Sequence, residues 1–159
     1  MSIAIIITGT MCSGKTTISE KMQKKINIEL ITELNVSPNS IHGMINEIKS
    51  KENKDIVLIE HAEILRVIDK IDKCFTKIVI IFMNVSDNLL IENFNKRKSQ
   101  NTIGNYLLET VLEWKKYIEE DFKKLQKDYI KYTVDINTNE DYDIAYNKMM
   151  NFLSMQIDK

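Results

Sequence analysis

Short, almost unbroken apolar runs alternate along the chain with longer stretches in which apolar residues recur every three or four positions. The runs are Ile3 to Thr8, Ile26 to Thr32, Lys54 to Glu60, Lys77 to Val85 and Tyr129 to Ile136. They are short and rich in β-branched residues, which predicts buried strands. The helical stretches begin with Thr17 to about Lys25. Ser40 to Lys51 follows, with Ile41, Met44, Ile45 and Ile48 on one face, then Ala62 to Lys73 with Ile64, Leu65, Ile68 and Ile71. Ser86 is placed to cap a helix carrying Leu89, Leu90, Ile91 and Phe94. Asn105 to about Lys127 repeats at 3.6 residues through Leu108, Val111, Leu112, Ile118, Phe122 and Leu125, and a last helix carries Ile144, Met149, Phe152 and Leu153. Strand and helix taking turns from end to end predict an α/β fold with a parallel sheet. No repeat or low-complexity linker interrupts the pattern, so residues 1–159 read as one domain.

Composition narrows the class of partner. Apolar residues at 43% and charged residues at 28% are those of an ordinary globular chain. A net charge of −1 provides no basic surface for nucleic acid or for an anionic membrane. No stretch reaches the roughly 20 apolar residues of a membrane helix. The N-terminal run is too short for a secretory leader and passes straight into a glycine turn, which together with two cysteines read as free thiols, Cys12 and Cys74, predicts a cytoplasmic protein. The oligomeric state stays open, a homodimer included.

The chemistry begins at Gly9-Thr10-Met11-Cys12-Ser13-Gly14-Lys15-Thr16-Thr17, which fits G-x-x-x-x-G-K-[ST], the Walker A phosphate-binding loop. A strand before and a helix after supply the context this motif requires. Gly9 and Gly14 allow backbone conformations and close approaches denied to other residues. The loop's N–H groups form a nest for phosphate oxygens, and the following helix adds the positive end of its dipole. Lys15 would reach the β- and γ-phosphates of ATP, and the Thr16 hydroxyl would ligate Mg²⁺. Cys12, near a helix N-terminus, reads as a thiol of lowered pKa and so as oxidation-sensitive.

Other residues take meaning from their place in this pattern. The third strand, Val57-Leu58-Ile59-Glu60, ends in an acid as a Walker B strand does, so Glu60 is a candidate for Mg²⁺. Glu33 follows the second strand at its carboxyl end, where open α/β sheets bind ligands; a solvated loop carboxylate is the equal alternative. Arginine occurs only at 66 and 97. Arg66 reads as a surface ion pair. Arg97, in a basic helix end followed by the polar segment Ser99 to Gly104, reads either as a solvated C-terminus or as part of a flap around 96–104 that brings a guanidinium onto a phosphoryl group. His42 reads as a surface histidine, and Trp114 and Tyr117 as packing residues.

These elements in this order resemble the P-loop kinases of nucleosides, nucleotides and related small molecules. The resemblance covers nearly the whole chain, with Walker A its one specific motif. It implies a three-layer sandwich around a five-stranded parallel sheet of order 2-3-1-4-5, with ATP and Mg²⁺ as cofactors. It places the magnesium-associated acid at Glu60, although His61 stands where the family often has arginine. It places an acid toward the acceptor hydroxyl at Glu33, a flap arginine at Arg97, and the adenine border near Asn137 and Thr138. The function implied is phosphoryl transfer from ATP to a small-molecule acceptor, a nucleoside or nucleotide before others. The alternative is a regulatory P-loop NTPase without acceptor; no Asn-Lys-x-Asp base-reading motif supports a GTPase switch.

Overall fold

A computed structural model of the chain describes residues 2–32, 41–125 and 128–158. Five strands form one sheet: β1 (Ile3–Thr8), β2 (Glu29–Thr32), β3 (Ile56–Glu60), β4 (Lys77–Val85) and β5 (Ile130–Ile136). Their order is β2-β3-β1-β4-β5, and every pairing is parallel. The helices are α1 (Lys15–Ile26), α2 (Ile41–Ser50), α3 (Asp87–Ser99), α4 (Leu108–Lys123) and α5 (Asp141–Ile157).

Alternate side chains of a strand leave opposite faces, so the central strands feed two separate cores. Ile3, Ile5 and Ile7 of β1 join Ile18 and Met22 of α1, Leu90 and Phe94 of α3, and Met149 and Leu153 of α5. Ala4 and Ile6 join Met44 and Ile48 of α2, Ile64 and Leu65, and Ile118 and Phe122 of α4. The sheet is thus the middle of three layers. All six residues of β1 are buried, which makes the strand leading into the phosphate loop the most enclosed part of the sheet. β2, by contrast, is a four-residue edge strand. Its Glu29 is held by Lys51 at 2.6 Å and approached by Lys54 at 3.9 Å.

Three boundaries differ from the expectation. α1 absorbs Ile26, and Asn27 caps it in the left-handed region at φ 50°, so β2 starts only at Glu29. Asparagine tolerates that conformation better than most residues. Ala62 to Lys73 is not one α-helix but two 3-10 segments, Ile64–Lys70 and Asp72–Cys74, with Val67 at a non-helical φ of −123°. Leu65, Ile68 and Ile71 stand three apart, the repeat of a 3-10 turn, and all are buried. The long helix is shorter than its apolar repeat, Leu108–Lys123, and residues 126–127 of the predicted span lie outside the described residues. Ser86 does cap α3, accepting a hydrogen bond from the Leu89 N–H at 3.4 Å. Among the described residues, no helix is long and apolar enough to cross a membrane.

Candidate functional site

The phosphate loop leaves the carboxyl end of β1 and turns into α1 at Gly14. Gly14 adopts φ 85°, and a Cβ there would stand 2.9 Å from Tyr142 Cε1, so both backbone and space require glycine. Gly9 is needed for a different reason, since a Cβ there would meet the Met83 carbonyl oxygen and Ser13 Oγ, each at 3.1 Å. Cys12 also takes a positive φ, 66°, unusual for a residue with a side chain. α1 has no acidic residue in its first turn, which leaves its positive end available to an anion.

Three side chains converge where this loop meets the end of β3. Lys15 is buried, and its Nζ donates to the Thr10 carbonyl at 3.0 Å. Glu60, 1% exposed, places Oε1 3.9 Å from Lys15 Nζ and Oε2 3.5 Å from Thr16 Oγ1. An ammonium, a hydroxyl and a carboxylate thus share one small volume. Thr16 and Glu60 supply hard oxygen donors, the kind that magnesium takes alongside phosphate oxygens and water. Among the described residues, no group of three or more His, Cys, Asp or Glu side chains is placed to hold a metal alone. Neighbouring contacts fix the frame: Thr8 Oγ1 donates to the Ala62 carbonyl at 3.1 Å, and Thr10 Oγ1 donates to the Val111 carbonyl of α4 at 2.7 Å.

The loop is braced from outside by two residues that the local sequence pattern does not mark. Asn93 of α3 donates from Nδ2 to the Cys12 carbonyl at 3.0 Å and to the Tyr142 hydroxyl at 3.2 Å. Tyr142 of α5 in turn donates its hydroxyl proton to the Ser13 carbonyl at 3.0 Å. Burial pushes the Tyr142 phenol above its ordinary pKa, although the bond from Asn93 opposes the shift, so the donor proton is retained. Asn93 stands four residues before Arg97 on the same face of α3, the one signal that could have drawn attention to it. Tyr142→Phe removes the hydroxyl alone. We expect the Michaelis constant for ATP to rise about 3- to 10-fold, the effect of one lost hydrogen bond, with kcat little changed. An unchanged ATP constant in steady-state kinetics would remove the brace from the account.

Arg97 lies half-buried above the loop. Its Nη1 donates to Cys12 Sγ at 3.6 Å and its Nη2 to the Thr102 carbonyl at 3.0 Å. The segment after α3 lines the same cavity through Gln100, Thr102, Ile103 and Gly104, and Ile103 is buried in the core shared with α1 and α3. The expectation for Cys12 is corrected: burial raises its thiol pKa, and Arg97 and Lys15 offset this only in part. Both cysteines are free.

Other candidates fall elsewhere. Arg66 is paired with Asp121 at 3.3 Å and with Glu63 at 3.5 Å. His42 is exposed. Tyr117 is 48% exposed and so is not the packing residue its helical spacing predicts, whereas Trp114 is half-buried and lines the cavity. The N–H groups of Asn137 and Thr138 donate to the Asp141 carboxylate, each at 2.9 Å; Asn139 is the member of that loop that lines the cavity. Glu33 lies outside the described residues. The cavity itself measures about 970 Å³ and is lined on one side by Met11, Cys12 and residues 14–17 and on the others by Glu60, Asn93, Arg97, Trp114 and Tyr142.

This sheet order, with a phosphate loop after β1 and helices on both faces, is the fold of the P-loop small-molecule kinases. The chain superimposes on a sugar kinase from Janibacter sp. HTCC2649 with a TM-score of 0.70, at 12% identity, over 97% of this chain and 95% of that one. A deoxyadenosine kinase from M. mycoides, solved with dCMP and dCDP, matches with a TM-score of 0.67, at 18% identity, over 96% and 99% of the two chains. A gluconokinase from Sinorhizobium meliloti 1021 matches with a TM-score of 0.62, at 15% identity, over 96% of each. No family model and no curated protein matches the sequence.

Proposed function

We propose that the chain is an ATP- and Mg²⁺-dependent kinase of a small molecule, with a nucleoside or nucleotide as acceptor. The observation that carries the reading is the convergence of buried Lys15 and Glu60 with half-buried Thr16 at the mouth of the phosphate loop, with Arg97 lining the same cavity. In this reading the loop from Gly9 to Thr17 holds the triphosphate, and Lys15 neutralises its β- and γ-oxygens. Thr16 and Glu60 hold the metal, whose contribution when bound is to offset charge on the bridging phosphate oxygens. Arg97 meets the charge that develops on the transferred group, and Glu33 orients or deprotonates an acceptor hydroxyl. Phosphoryl transfer demands little covalent chemistry of a protein, so position and electrostatics carry the catalysis.

The test is ADP production by the purified protein with Mg²⁺ and ATP, with and without a panel of acceptors. We expect turnover that depends on one class of acceptor. Nucleotide binding with no acceptor-dependent turnover would favour the regulatory NTPase instead.

A further inference from the structure

Among the described residues, the charged side chains lining the cavity are Lys15 and Glu60 at the loop, Lys96 and Arg97 on α3, and the paired Lys21 and Asp143. Among the described residues its cations are Lys15, Lys21, Lys96 and Arg97. Lys15 is committed to the loop. Lys21 pairs with Asp143 at 3.5 Å and covers the Tyr146 ring at 4.1 Å. Lys96 and Arg97 stand on the last turn of α3. Arg66, the other arginine, does not line the cavity and is engaged by two carboxylates.

The wall beside Glu60 is of a different kind. Trp114 packs on the core beneath α2 and α4, whereas Tyr142 and Tyr146 pack on the opposite core. The cavity therefore crosses the carboxyl end of β1 from one face of the sheet to the other. On the Trp114 side the lining is Ala62, Tyr106 and Trp114. The Tyr106 ring meets Trp114 edge-on, with centroids 6.1 Å apart and planes at 66°. Tyr106 is 45% exposed, so its ring is not consumed by the core.

A phosphate or carboxylate on an acceptor calls for a fixed cation, best an arginine fork. A flat ring without charge calls for aromatic faces and edges. We propose that Trp114 and Tyr106 form the acceptor subsite and take the base of a neutral nucleoside, in preference to a nucleotide, a sugar or a sugar acid. This rests on the kinase reading. In the reaction, a nucleoside hydroxyl oxygen forms the new bond to the γ-phosphorus of ATP. The bond from that phosphorus to the β–γ bridging oxygen breaks, ADP leaves with the electron pair, and the hydroxyl proton passes to solvent.

Trp114 is the one tryptophan of the chain, so its fluorescence reports on this wall alone. The intact protein, loaded with Mg²⁺ and a non-hydrolysable ATP analogue, is titrated with nucleosides, the matching 5′-monophosphates, gluconate and shikimate. We expect saturable quenching by one or more nucleosides and at least about 10-fold weaker binding of every charged compound, the discrimination expected where no cation meets the added charge. Trp114→Leu should raise the acceptor Michaelis constant roughly 5- to 150-fold, the range for loss of one stacked base, with the ATP constant unchanged. Trp114→Phe should restore most of it. Tyr106→Leu, at an exposed position, should raise the same constant without disturbing the fold. Quenching by charged compounds alone, or no quenching by any, overturns the subsite, as does a wild-type acceptor constant in both leucine variants. Nucleoside quenching without ADP production would uphold the subsite and sink the kinase reading. ADP production driven only by charged acceptors would do the reverse.

Discussion

Lys15→Ala is expected to leave a folded protein that has lost ATP turnover, with kcat reduced by more than roughly 100-fold, the effect of deleting one preorganised charge from a transition-state site. Lys15 sits at the first position of α1, above the sheet, and its ammonium bonds the Thr10 carbonyl instead of packing in either core. The substitution does take a cation 3.9 Å away from a carboxylate that is 1% exposed, so some loss of stability is expected with it. Lys15→Met retains the apolar stem and separates the two effects. Circular dichroism and thermal melting report the fold, and an ADP-release assay reports turnover. Wild-type turnover in either folded variant would sink the phosphate-loop assignment.

Arg97→Lys is expected to lower kcat by roughly 10- to 1,000-fold while changing ATP affinity far less, because the contact strengthens mainly as charge develops in the transition state. The geometry explains why lysine is no substitute. One guanidinium nitrogen reaches Cys12 Sγ at 3.6 Å, and another reaches the Thr102 carbonyl at 3.0 Å. A single ammonium on a flexible stem cannot bridge the loop and the segment after α3 in that way. Steady-state kinetics with the acceptor that supports turnover decides the matter. Equal kcat in the two proteins would return Arg97 to the role of a solvated helix end.

The two candidates stood out in the sequence for different reasons: Lys15 through a local motif, Arg97 through the scarcity of arginine and the polar segment that follows it. A glycine pair around a lysine, between a β-branched run and a helix, specifies a phosphate loop within nine residues, Gly9 to Thr17. The strands were equally legible, since buried parallel strands need continuous apolar runs. The strand order came from the resemblance, because periodicity within one strand says nothing about its neighbour. What stayed hidden depends on contacts across the fold. The bond between Tyr142 and Ser13 joins residues 129 positions apart, and Asn93 meets Cys12 across 81. Trp114 packs on the core as its spacing predicts, but helical spacing alone could not show that it also lines the cavity. The 3-10 turns from Ile64 were missed since an apolar repeat of three to four residues suits either helix type. The raised thiol pKa of Cys12 was missed too: the helix dipole is a local feature, while the burial that outweighs it is made by distant chain segments.

The short β2 strand and its lysine-clamped glutamate also bear on how the protein behaves at high concentration. An exposed sheet edge is a template on which another chain can add strand by strand, and aggregation starts there. Here one edge, among the described residues, is four residues long and carries Glu29 with Lys51 and Lys54 beside it. A second chain could pair with it only by stripping water from three charges. At the other edge, β5 exposes Lys131, Thr133 and Asp135 at every second position. Both margins of the sheet are therefore unfavourable to amyloid-like growth, even though the strands between them are among the most apolar stretches of the chain.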